Sequence, residues 1–106
     1  MSKYLIEGTY TAEGAKGLLK QGGTSRRAQI ESMINGLGGS LEAFYWALGD
    51  TDFYVIAELP DNVTAAAIGL TVGASGAVST RTTVLLTPDE IDRAKGKSID
   101  YRVPGA

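Results

Sequence analysis

Glu7, Glu58 and Arg81 interrupt the β-rich stretches KYLIEGTY, DFYVIAEL and AVSTRTTVLLT. Charged side chains are almost never buried unless they are paired, so ionisable groups on apolar strands need an account. Two carboxylates held close raise one another's pKa, which is one way to make a general base at neutral pH. Glu7 or Glu58 would be that base, with Tyr54 or Tyr10 as a proton donor and Arg81 holding a substrate's charge. The purely structural account is that Arg81 pairs with one glutamate while the other reaches solvent. A second cluster, GGTSRR at 22–27, puts Arg26 and Arg27 beside a helix start, where free N–H groups and the helix dipole favour an anion. The plainer account is a capped helix followed by two solvated arginines. The third, GDTD at 49–52, carries two acids in a tight connection. Asp50 is explained by turn chemistry. Asp52 opens a strand, where it caps N–H groups of the neighbouring loop, and it joins the ligand-binding candidates.

Composition narrows what these groups can do. The 106 residues include no histidine and no cysteine. The chain therefore lacks the side chain that titrates nearest neutrality, the usual zinc, copper and haem ligands, and any thiol or disulfide chemistry. A magnesium or calcium site needs more ligands than the two acids of GDTD supply. No metal and no cofactor is expected, and acid–base work falls to Glu, Asp or Tyr. A net charge of −2 gives no basic surface for nucleic acid. No apolar run approaches a membrane span, and MSKYLIEGTY lacks the apolar core of a signal peptide. A cytoplasmic protein of one domain is expected.

Periodicity supplies the elements that must position these residues. KYLIEGTY alternates, with Tyr4, Ile6 and Tyr10 on one side and Leu5, Glu7 and Thr9 on the other. AEGAKGLLKQ is a weak helix containing Gly14 and Gly17. A stronger helix, N-capped by Thr24 or Ser25, carries Ile30, Met33, Ile34 and Leu37 as one stripe before Gly38-Gly39. SLEAFYWALG and DFYVIAEL are two strands around the acidic turn. Pro60-Asp61-Asn62 opens an Ala- and Gly-rich helix, and AVSTRTTVLLT is the last strand. In TPDEIDRAKG, Thr87, Pro88 and Glu90 form a capping box. The order β-α-β-β-α-β, with a C-terminal helix, predicts an α+β ferredoxin-like domain over 1–96. Its helices cover one face of a four-stranded antiparallel sheet, and 97–106 form an extended tail.

The other sheet face should meet water in a lone domain of this kind. Simple alternation instead assigns it Leu5, Glu7, Phe44, Trp46, Leu48, Tyr54, Ile56, Glu58, Arg81, Thr83 and Leu85, with Tyr45 facing the helices. So much apolar surface exceeds what soluble monomers usually expose. Two sheets are therefore expected to pack face to face in a dimer or a larger homo-oligomer; if β1 lies between β3 and β4, Glu7 comes near both Glu58 and Arg81.

KYLIEGTYTAEGAKGLL, GGTSRR, LGGSLEAFYWALGDTDFYVIAELPD and RTTVLLTPDEID resemble the GYD family of small bacterial proteins, grouped near the dimeric α/β-barrel superfamily. Gly49 and Asp52 fill the first and last places of the motif that names the family, and Thr51 stands where tyrosine is usual. The resemblance implies an oligomeric barrel and carries no established activity. Two functions follow as expectations. One is a module binding an anionic or aromatic small molecule between subunits, near Trp46, Tyr45, Arg26, Arg27 and Arg81. The other is a cofactor-independent isomerase or monooxygenase-like enzyme, of the kind that superfamily hosts, using a Glu base.

Overall fold

The computed structural model describes residues 1–106. In chain order it contains β1 (Ser2–Tyr10), α1 (Ala12–Gln21), α2 (Gly23–Gly36), β2 (Ser40–Trp46), β3 (Phe53–Leu59), α3 (Asn62–Ala74), β4 (Val78–Leu85) and α4 (Pro88–Lys95). The strands form one antiparallel sheet in the order β2-β3-β1-β4, which is the ferredoxin-like arrangement. No helix is long and apolar enough to cross a membrane.

The core lies between the sheet and α2 and α3. Tyr4, Ile6, Phe53, Val55, Ala57, Leu59 and Val78 point toward the helices and meet Ile34, Ala65 and Ile68. α2 packs on β2 and α3 on β4, while the two helices scarcely touch one another. The rings of Phe44, Phe53 and Tyr10 stack in series, with centroids 5.4 Å and 5.3 Å apart. Phe53 lies directly over Gly8 of the neighbouring strand, and a Cβ built on Gly8 would overlap its ring atoms. Glycine is thus the residue that gives this ring its seat.

Two sequence expectations are corrected here. α2 is not capped by Thr24 or Ser25. It begins at Gly23, and Gly22 (φ 83°) both ends α1 through its N–H to the Leu18 carbonyl and opens α2 without a side-chain cap. The left-handed backbone at Gly22 lets two helices abut with one residue between them. Second, Phe44 and Trp46 do not stand on the open sheet face. The β2–β3 register slips between Leu41 and Ala43, leaving Glu42 as an extra residue. A β-bulge of this kind reverses the side-chain parity beyond it. Phe44 pairs with Val55 and Trp46 with Phe53, both on the helix side, while Ala43 and Tyr45 take the open face.

The remaining helix starts follow the sequence. Asp61 caps α3 by accepting from the Thr64 N–H at 2.8 Å and from its hydroxyl. Thr87 and Glu90 close the capping box of α4 reciprocally, at 3.0 and 3.1 Å. The Thr64 backbone N–H, followed by the Thr64 hydroxyl, holds the Asp61 carboxyl below its ordinary pKa. A carboxyl depressed on folding contributes stability that is fully present above its unfolded pKa, about 4, and lost as pH falls through the lower folded value. Acid titration of unfolding should therefore be shallower in Asp61→Asn than in the parent below about pH 4, with the two curves parallel near neutrality. An unchanged acid limb would show that this cap contributes nothing to it.

α4 and the residues after it form an arm. No other element packs against α4 to more than a grazing extent, and every residue from Ile91 to Ala106 is exposed. The radius of gyration is 17.1 Å and the longest extent 57 Å. A close-packed chain of this length would have a radius of gyration of about 13 Å.

Candidate functional site

Register builds the site. On the open face, Tyr45 of β2 lies opposite Tyr54 of β3, Tyr54 opposite Glu7 of β1, and Glu7 opposite Arg81 of β4. Four side chains thus form one row across the whole sheet: two phenols, a carboxylate and a guanidinium. Cross-strand neighbours of this kind stand about 5 Å apart at Cβ. Glu7 is largely covered (side chain 20% exposed) and its Oε1 lies 3.6 Å from Arg81 Nη2, which itself is 77% exposed. That is a loose ion pair, so most of the guanidinium's donors face outward. Above the row, Glu7, Thr9, Asp50, Thr51, Ser79, Thr80 and Arg81 line a hollow of about 200 Å3 with no hydrophobic residue in its wall.

Two further rows complete the face. Ala43, Ile56, Leu5 and Thr83 form an apolar band. Beyond it come Ser40, Glu58, Lys3 and Leu85, where Lys3 reaches Glu42 at 2.9 Å. The hydrogen bond to Glu42, aided by Glu42 and Glu58 charge, raises the Lys3 pKa against the opposing effect of desolvation. Glu58 therefore belongs to the Lys3 cluster. It lies four residues along the strand from Tyr54, the residue opposite Glu7, about 13 Å at the usual rise per residue. The expected pair of adjacent carboxylates does not form. The strand order read from the sequence brings Glu7 to Arg81, but the register separates it from Glu58.

The other predicted residues lie elsewhere. Trp46 is on the helix side, where its Nε1–H donates to Tyr10 Oη at 3.0 Å and its ring stacks on Phe44. Arg27 is paired with Glu31 along α2 at 3.3 Å. Arg26 borders a small apolar hollow of about 40 Å3 under the helices, beside Tyr10, Phe44 and Phe53. The arginines thus do not converge with Arg81, and the helix start they flank shows no built anion site. Asp52 is occupied by the backbone. Its Oδ2 accepts from the Tyr10 N–H at 2.8 Å, its own N–H donates to the Gly8 carbonyl, and its carbonyl accepts from the Ala47 N–H. It clamps the β2–β3 connection to the end of β1, as a turn residue rather than a ligand group. Asp50 and Thr51 of the same connection reach the polar hollow instead. No group of three or more acidic side chains is gathered that could hold a metal ion.

Sequence reasoning missed Tyr45 as a partner of Tyr54. The signal was present: the bulky apolar residues Leu41, Phe44 and Trp46 are spaced by three and then two, which is the footprint of an inserted residue.

The fold and face together define an α+β ferredoxin-like domain with a mixed aromatic and ionic row on its uncovered sheet. The GYD domain model matches residues 4–94, and the chain belongs to that family. No curated protein and no solved structure is significantly similar to it.

Proposed function

We infer that the protein is a small-molecule binding module, holding an anionic aromatic compound on the open sheet face and enclosing it with a second copy packed sheet to sheet. The carrying observation is the Tyr45–Tyr54–Glu7–Arg81 row. Two exposed phenol rings offer a stacking surface, and at the far end a guanidinium with free donors suits a carboxylate. The polar hollow gives room for hydroxyl or carboxylate groups beside Arg81. The apolar band of Ile56 and Leu5 beneath the row supports the second copy, because such a band left in water is what protein interfaces typically cover.

Benzoate and 4-hydroxybenzoate, titrated calorimetrically, are direct probes. Binding should weaken at least tenfold in Arg81→Ala and in Tyr54→Ala, and stay unchanged in Arg27→Ala, whose guanidinium is paired on the opposite layer. Failure of every aromatic acid to bind at millimolar concentration would dismiss the reading.

One observation favours an enzyme. Glu7 and Tyr54 are direct cross-strand partners, so a carboxylate base and a phenol donor stand side by side over the same bound ring. A cofactor-independent isomerase or monooxygenase-like activity would use that pair, with Glu58 uninvolved. Turnover of a bound compound that disappears in Glu7→Gln while its affinity is retained would establish this reading over the module.

A further inference from the structure

Two apolar surfaces in this chain have no partner within it. One is the arm: after α4, Ile99, Tyr101 and Val103 alternate with Asp100 and Arg102, all of them exposed, in a segment without regular structure. Ile91 is exposed on α4 itself. A lone helix of eight residues is marginal in water, so α4 is built to lie against something. The other is the helix layer. Because α2 and α3 scarcely touch, an apolar groove of about 280 Å3 runs between them, lined by Met33, Gly36, Leu37, Ala67, Thr71 and Val72. α3 contains no charged residue, and Val63 and Leu70 on its outer side are exposed. A helix apolar all round is normally covered on all sides. The arm offers bulky side chains at alternate positions, and the groove is walled in part by glycine and alanine.

We propose that the C-terminal arm of one copy docks in the α2–α3 groove of a second copy, so that two chains exchange arms. The chain's own groove is a poor receiver. Only Leu86 and Thr87 separate β4 from α4, and α4 leaves without packing on any other element to more than a grazing extent, in a chain whose longest extent is 57 Å. The point of departure also favours the second copy. Leu85 lies at the edge of the open sheet face, so the arm springs from the rim of the interface inferred above, and in this respect the proposal rests on that reading. Reach is sufficient: α4 spans about 12 Å and a ten-residue extended tail about 33 Å. Stacked sheets are about 10 Å apart and a helix layer adds about 10 Å.

The absence of cysteine makes the test direct. Ile99→Cys and Ala67→Cys chains carrying different tags are mixed and oxidised, with Ile99→Cys plus Leu19→Cys as the control, since Leu19 is exposed on α1, which does not line the groove. A mixed disulfide forming at least tenfold faster than the control is expected. Equal rates would overturn the proposal. So would a bridge closing within single chains of the Ile99→Cys/Ala67→Cys double variant at nanomolar concentration. In the full chain, Ile99→Asp with Val103→Asp should weaken self-association at least tenfold, and unchanged association would also overturn it. The sheet-face reading fails separately, if charge introduced at Ile56 leaves association intact while the mixed disulfide still forms.

Discussion

If two copies pack sheet to sheet as proposed, Ile56→Glu should yield a monomer at micromolar concentration while leaving the circular dichroism spectrum and melting temperature nearly unchanged. Ile56 lies at the centre of the open face, between Ala43 and Leu5 and one row from Tyr54, and it packs against none of the helices. A polar substitution there costs the isolated domain little, because solvent reaches it. In a sheet-to-sheet assembly the same carboxylate would be taken out of water with no cationic partner in its row, where Ala43, Leu5 and Thr83 are its neighbours. An unpaired buried charge costs several kcal/mol, and each 1.4 kcal/mol is about tenfold in an association constant. A rise of at least a hundredfold in the dissociation constant is therefore expected, read by analytical ultracentrifugation. Self-association identical to the parent's would remove the open face from consideration as an interface. Lys3→Ala, at the rim and tied to Glu42, should shift association by less than tenfold.

Phe53→Ala should lower stability by about 3–5 kcal/mol, the usual loss for emptying a buried aromatic position. Phe53 touches both neighbouring rings, Phe44 and Tyr10, and roofs Gly8, so no single neighbour can fill the space it leaves. Set against a typical total of about 5–15 kcal/mol, this is a large share of the margin, and the melting temperature should fall by at least about 12 °C. The partner position supplies an internal control. Gly8→Ala alone should destabilise through overlap with the ring, by about 1–3 kcal/mol. Added to Phe53→Ala it should cost much less, since the space is already empty. Additive losses would show that the ring does not dictate glycine at this position.

Element types and the caps of α3 and α4 were legible in the sequence because each rests on a local rule, whereas α2 opens on Gly22 with no side-chain cap to announce it. Thr87, Pro88 and Glu90 announce α4 within four residues, and Asp61 announces α3. The strand order was legible too, since the β-α-β-β-α-β alternation leaves few ways to close an antiparallel sheet. Register was not. Placing Glu7 beside Glu58 required knowing which residues face each other across β1 and β3, and the real alignment sets Glu7 against Tyr54 and Glu58 against Lys3. The bulge at Glu42 was the second loss. Strict alternation carried Phe44 and Trp46 to the open side, and one extra residue moved both into the core and sent Tyr45 outward. Three of the four residues in the candidate row, Glu7, Tyr54 and Arg81, thus followed from chemistry-bearing residue types. The remainder depended on a single irregularity whose only trace was uneven spacing between Leu41 and Phe44.

The position of β1 inside the sheet has a consequence for how the chain matures during synthesis. β1 is a central strand made before both of its neighbours, and the second of them, β4, comes out of the ribosome roughly 70 residues later. At about 5–20 residues per second, the flank of β1 that awaits β4 stays open for several seconds, with backbone donors and acceptors unsatisfied. A nascent chain stalled before Val78 would present that flank to any neighbouring polypeptide, and polysomes carrying this message are where mispairing should concentrate.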